Sequence, residues 1–149
     1  MDDPADIRAW QRLTPDITTS GRIVAADISR FGQIGVRHVI NLALAEHPEA
    51  LANEADLLAG AGIAYTHIPV PFDAPTEQHF ADFVAAIEGG AAQVHIHCIM
   101  NWRVAAFFYR YNRDHAGMDE AEARAIMEQQ WHPASISHPD AAAWARFIA

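Results

Sequence analysis

Apolar and polar positions follow two different periods along this chain, and the changes of period mark its elements. Residues 36–42 (VRHVINL) are mostly β-branched or apolar without helical spacing, which predicts a buried strand. Residues 63–70 predict a second strand and residues 94–98 (VHIHC) a third. Between them the spacing turns helical. Leu51, Ala55, Leu58 and Ala59 fall on one face of a helix predicted over 48–61, stopped by Gly60 and Gly62. Phe80, Phe83, Val84 and Ile87 share a face of another, with Thr76 as its N-cap and Gly89-Gly90 as its end. A short helix is predicted over 25–31, and others over 103–115, 119–130 and 139–148. Before Gly21 no period is sustained. Pro15 and then Thr18-Thr19-Ser20-Gly21 read as a turn or a short edge strand. Strands alternating with helices predict an α/β fold in one domain over 1–149, with a mainly parallel sheet flanked by helices on both faces. Ligands bind such sheets at the carboxyl ends of the strands.

Charge narrows the partners. With 19 acidic against 10 basic residues the formal net charge is −9, which argues against nucleic acid or an anionic membrane surface as partner. No apolar run reaches the length of a membrane span. The opening Asp2-Asp3-Pro4 lacks the basic start and apolar core of a signal peptide, so a cytoplasmic location is expected. Cys98 is the single cysteine and has no internal disulfide partner. In a reducing compartment a lone thiol is either a buried small hydrophobe or a working nucleophile.

Its neighbours favour the nucleophile. Cys98 ends the third predicted strand, and Arg103 opens a predicted helix after a short loop of Ile99, Met100, Asn101 and Trp102. Successive backbone N–H groups in a tight loop form a concave anion nest, and a helix N-terminus adds unpaired donors and partial positive charge. Arg103 offers a planar fork for two oxygens of a tetrahedral anion. These surroundings stabilise a thiolate, and a thiolate beneath a bound phosphate is placed for in-line attack.

Val94-His95-Ile96-His97-Cys98 followed by Arg103 resembles the signature of the cysteine-dependent tyrosine and dual-specificity protein phosphatases. More narrowly it resembles the compact bacterial beta-lactamase-hydrolase-like phosphatase domains, whose loop is similarly short and carries Asn two residues before the Arg, as Asn101 does here. The resemblance runs from Ser20-Gly21 through Val39-Ile40-Asn41-Leu42, Gly62-Ile63 to Pro69-Val70 and Pro75-Thr76, as far as Tyr109-Arg110. It implies a three-layer sandwich of the dual-specificity-phosphatase type. It implies phosphomonoester hydrolysis through a phosphocysteine intermediate, without a cofactor, on a phosphorylated protein or a small phosphoester. Cys98 would be the nucleophile and Arg103 the phosphate clamp, with His97, Ile99, Met100, Asn101 and Trp102 completing the binding loop. Two departures stand out. Four residues separate Cys98 from Arg103 where most of the superfamily has five, and Val104-Ala105 follow the Arg where many members have a hydroxyl. These departures keep an inactive phosphate-binding module open as an alternative, and the six-residue loop also suits a rhodanese-like sulfurtransferase.

Phosphoester cleavage is helped by a group that protonates the leaving oxygen. In the related phosphatases an Asp on a separate loop serves, and Asp73 lies in a Pro-bracketed loop after the second strand, on the rim expected to face Cys98. Phe72 and Trp102 are candidate walls for an aromatic phosphoester. His95 and His97 share a strand face, as metal ligands can, with His132 and His138 as possible additions. No carboxylate stands at close ligand spacing, and the last two histidines flank prolines in a surface-like segment, so no metal is assigned.

Overall fold

Five short strands form one sheet in the computed structural model, which describes residues 2–149. They are β1 (Gln11–Thr14), β2 (Ile17–Ser20), β3 (His38–Asn41), β4 (Ala64–His67) and β5 (Val94–His97), in the order β1-β2-β5-β3-β4. β2, β5, β3 and β4 are parallel, and β1 pairs antiparallel with β2 at one edge. Six helices complete the described residues: α1 (Asp27–Gln33), α2 (Glu54–Gly60), α3 (Glu77–Gly89), α4 (Trp102–Asp114), α5 (Glu120–Glu128) and α6 (Ala141–Ile148).

Every residue of β3 and β5 is buried, because these strands lie inside the sheet and helices cover both of its faces. Successive side chains of a strand point to opposite faces. In β3, Val39 joins Phe31 of α1 and Leu58 of α2, whereas Ile40 joins Phe83, Phe107 and Trp144 of α3, α4 and α6. The result is the three-layer α/β/α sandwich expected from the alternation of elements. Among the described residues no helix is long and apolar enough to cross a membrane.

α3 follows its local signals closely. The Thr76 hydroxyl accepts the His79 N–H at 3.1 Å, and the Thr76 N–H donates to His79 Nδ1 at 3.1 Å, a reciprocal cap worth about 1 kcal/mol. Two other elements depart from the sequence reading. The helix predicted over 48–61 begins only at Glu54, because Asn53 adopts a left-handed conformation (φ 59°, ψ 29°) that a helix interior does not accommodate. Thr18, Thr19 and Ser20 belong to a strand between β1 and β5, and β1 takes the edge instead. The polar residues of β2 tolerate that burial because all three hydroxyls are partnered: His95 bonds Thr18 Oγ1 at 2.9 Å and Ser20 Oγ at 2.8 Å, and Thr19 Oγ1 accepts from Asn101 Nδ2 at 3.0 Å.

Candidate active site

The carboxyl end of β5 is fixed on both sides before the chain turns. Leu42 N–H donates to His97 O at 2.9 Å, and Cys98 N–H donates to Ser20 O at 3.4 Å. Residues 98–101 then leave regular structure, and α4 starts at Trp102. Asn101 makes the turn in a left-handed conformation (φ 67°, ψ 6°), which Asn accepts more readily than most residues. Gly21 closes the loop from below. A Cβ there would lie 2.5 Å from Ile99 O, so only glycine permits the approach that lets Arg22 N–H donate to Ile99 O at 2.9 Å.

This turn leaves a row of donors. Among the described residues, the amides of Ile99, Met100, Asn101, Trp102 and Arg103 donate to no protein acceptor, and the α4 ladder opens with Ala105 N–H to Asn101 O at 2.9 Å. Unpaired consecutive amides at a helix start are the donors of an anion nest. Beside them lies a cavity of about 270 Å³ whose walls include Cys98, Ile99, Met100, Trp102 and Arg103. Cys98 is only 1% exposed, Arg103 is buried, and Met100 is 44% exposed at the mouth. Arg103 Nη1 donates to Val70 O at 2.9 Å, and its guanidinium lies 5.8 Å from the centre of the Phe72 ring. The head group is thereby oriented by the β4–α3 connection while it forms part of the cavity wall.

The predicted residues separate into two groups. Cys98, Ile99, Met100, Trp102 and Arg103 line the cavity, and so does Phe72; His97 and Asn101 do not. Asn101 turns its side chain inward, where Nδ2 donates to Ala9 O at 2.9 Å and to Thr19 Oγ1 at 3.0 Å, so its side chain anchors the loop. His97 points to the other face of the sheet. Its Nε2 lies 2.7 Å from Glu54 Oε2 and its Nδ1 3.2 Å from Cys98 O. Asp73 is exposed in the turn after Phe72 and is not one of the cavity walls. Three titratable residues without an assigned site role join the site through the fold: Glu54 behind His97, and His47 and His138 in the cavity wall, where Leu44 also lies. No local pattern singles out His47 or Glu54, because their neighbours in the chain are ordinary loop and helix residues. His138, read as surface, reaches the cavity because the α5–α6 connection folds back over α4.

Behind the loop, two hydroxyls fix the protonation of His95. Ser20 Oγ donates to Gly21 O at 2.8 Å, so it accepts from His95 Nε2–H, and the Thr18 hydroxyl donates to Nδ1. His95 is therefore a neutral ring, stacked between Trp10 and Phe31, and burial together with its neighbour His97 holds its pKa well below the ordinary value. Both of its nitrogens serve hydroxyls and His97 serves Glu54, which accounts for the paired histidines without a metal.

Residues 6–109 match the model of the family described as beta-lactamase hydrolase-like protein, phosphatase-like domain. No functionally curated protein matches the chain. A crystal structure of a candidate phosphatase (DUF442) from Shewanella putrefaciens superposes with a TM-score of 0.78 at 28% identity, covering 96% of this chain and 90% of that one. Pseudomonas aeruginosa TpbA, crystallised in complex with phosphotyrosine, has a TM-score of 0.69 at 18% identity, covering 99% and 86%. Tk-PTP in its active form has a TM-score of 0.70 at 16% identity, covering 94% and 95%. The last two establish likeness of fold.

Proposed function

The chain belongs to the beta-lactamase hydrolase-like phosphatase-domain family, and from that premise we propose that it hydrolyses phosphomonoesters through a phosphocysteine intermediate on Cys98. The observation that carries the reading is the sharing of one cavity by Cys98, Arg103 and a run of amides without protein acceptors. In this reading the amides and the Arg103 fork hold the nonbridging phosphoryl oxygens, with the fork oriented by Val70 O. The Cys98 thiolate attacks phosphorus in line with the leaving oxygen, and water then attacks the phosphocysteine and releases phosphate. Phe72 and Trp102 provide an apolar wall suited to an aromatic ester. A relative of the same fold crystallised with phosphotyrosine supports a phosphorylated side chain as the natural substrate type.

The test is hydrolysis of an aryl phosphate by the wild-type protein and by Cys98→Ser. The serine variant is expected to lose turnover to background while still binding orthophosphate. Wild-type binding without turnover would leave a phosphate-recognition module instead. Sulfur transfer from thiosulfate to cyanide in the absence of phosphatase activity would point to the sulfurtransferase alternative.

A further inference from the structure

We infer that His138 contacts the leaving oxygen of the substrate as a neutral Nε2–H donor, stabilising the charge that develops there without surrendering its proton. This deepens the phosphatase reading above and rests on it. None of the walls of the cavity that holds Cys98 and Arg103 is an aspartate or a glutamate. The titratable side chains that share the cavity with that pair are two imidazoles, His47 and His138.

Both imidazoles are locked in the same tautomer by the backbone two residues on. His138 Nδ1 accepts the Asp140 N–H at 3.1 Å, and His47 Nδ1 accepts the Glu49 N–H at 3.0 Å. A ring nitrogen that accepts a hydrogen bond carries no proton, so the proton sits on Nε2. Forming the imidazolium at His138 would place a proton on Nδ1 and break the bond to Asp140. The geometry therefore favours a hydrogen-bond donor over a proton-transferring acid.

His138 is distinguished from His47 by the way its ring is held. Its centroid lies 5.1 Å from that of Phe72 and 6.1 Å from that of Trp102, edge-on to both, and these are the aromatic residues of the cavity wall. One hydrogen bond and two aromatic contacts hold its ring in the cavity wall. Among the described residues His47 has no such aromatic contact. The charged and titratable groups around His138 are Cys98, Arg103 and His47 in the cavity, Asp73 next to Phe72, and Asp140 on its own segment. In the first step the Sγ–P bond forms and the P–O bond breaks, both electrons of the latter going to the leaving oxygen. That oxygen departs as an anion bonded to Nε2–H and takes its proton from water after release, leaving hydroxide. The second step consumes that hydroxide, or an equivalent water, in releasing phosphate and the Cys98 thiolate.

A hydrogen bond to a charged oxygen lost in the transition state slows a reaction by about ten- to a hundredfold. His138→Phe is expected to show that loss on a poorly departing aryl phosphate and a smaller loss on a readily departing one. His138→Gln, which keeps an N–H donor, is expected to recover part of it. The wild-type rate should not fall as pH rises through the range where imidazoles titrate. Independently of turnover, orthovanadate is expected to bind His138→Phe at least tenfold more weakly, and to shift the ¹⁵N signal of a neutral Nε2–H imidazole in the wild-type protein. A falling pH limb that disappears in His138→Phe would overturn the inference in favour of a true acid. A leaving-group-dependent loss in Asp73→Asn that His138→Phe lacks would hand the role to the carboxylate. Failure of the phosphatase reading itself looks different, because the wild-type protein would then bind orthophosphate without hydrolysing any aryl phosphate, or Cys98→Ser would leave that hydrolysis unchanged.

Discussion

Nε2 of His97 lies 2.7 Å from Oε2 of Glu54, with both side chains buried beneath the strand end that delivers Cys98. The other ring nitrogen of His97 donates to the carbonyl of Cys98, so the α2 helix start is coupled through one imidazole to the first residue of the loop. Removing one partner of a buried pair leaves the other without compensation and costs about 3–5 kcal/mol. Glu54→Ala is expected to lose stability of that order in urea unfolding, and Glu54→Gln, which can still bond the ring, distinctly less. Equal and small losses would show that the pair contributes little.

Asn101 combines a left-handed backbone with two inward hydrogen bonds. Asn101→Gly relieves the backbone and gives up the bonds, whereas Asn101→Ala gives up the bonds and adds about 1–2 kcal/mol of steric cost. The expected order of stability is wild type, then glycine, then alanine, with phosphate affinity following the same order. Alanine as stable as glycine in calorimetry would refute the conformational argument.

His95 makes stability depend on pH in a calculable direction. Its folded pKa is depressed below the ordinary value of 6.5 by burial, so the unfolded chain binds the proton first. The contribution is complete above pH 6.5 and is lost as pH falls below it, by about 1.4 kcal/mol per pH unit. Burial shifts His38 in the same direction. Urea titrations at successive pH values from neutral toward 5 are expected to show this slope, reduced in His95→Phe. A flat profile would mean that the folded and unfolded chains bind protons equally and that burial does not depress the ring's pKa.

Arg103→Lys keeps the charge but loses the planar fork and the geometry that bonds Val70 O. Orthophosphate affinity is expected to fall tenfold or more. Unchanged affinity in a calorimetric titration would reduce Arg103 to a packing residue.

Val104 and Ala105 are buried and carry no hydroxyl to stabilise the departing Cys98 thiolate. A hydrogen bond to a charged group is worth about 1.5–3 kcal/mol, or roughly ten- to a hundredfold in rate. Rapid mixing with an aryl phosphate is expected to give a burst of phenol followed by slow turnover, with a faster second phase in Ala105→Ser or Val104→Ser. Linear release from the first turnover, unaltered by either substitution, would exclude slow dephosphorylation.

The elements that the sequence alone determined are those whose causes are local. The α3 helix was legible because its cap, its apolar spacing and its glycine end lie within one segment. The loop from Cys98 to Arg103 was legible for the same reason, since strand end, tight turn and helix start follow one another in the chain. β2 was not, because its buried hydroxyls are satisfied by His95, 77 and 75 residues away, and by Asn101, 82 residues away. Nor was the late start of α2, where the apolar spacing continues through Asn53 while the backbone does not.

Only the tertiary structure decided which side chains accompany Cys98. His47 comes from the β3–α2 connection, Phe72 from the β4–α3 connection and His138 from the segment before α6. Their meeting depends on the strand order that seats β5 beside β3 and on α4 and α6 packing over the same face. Glu54 reaches His97 across 43 residues because parallel strands carry their connections to the same end of the sheet. A nest of consecutive amides is built by the backbone of one short segment and is therefore written in that segment. The residues that complete the site are brought there by sheet pairing and burial, which no single stretch of the chain contains.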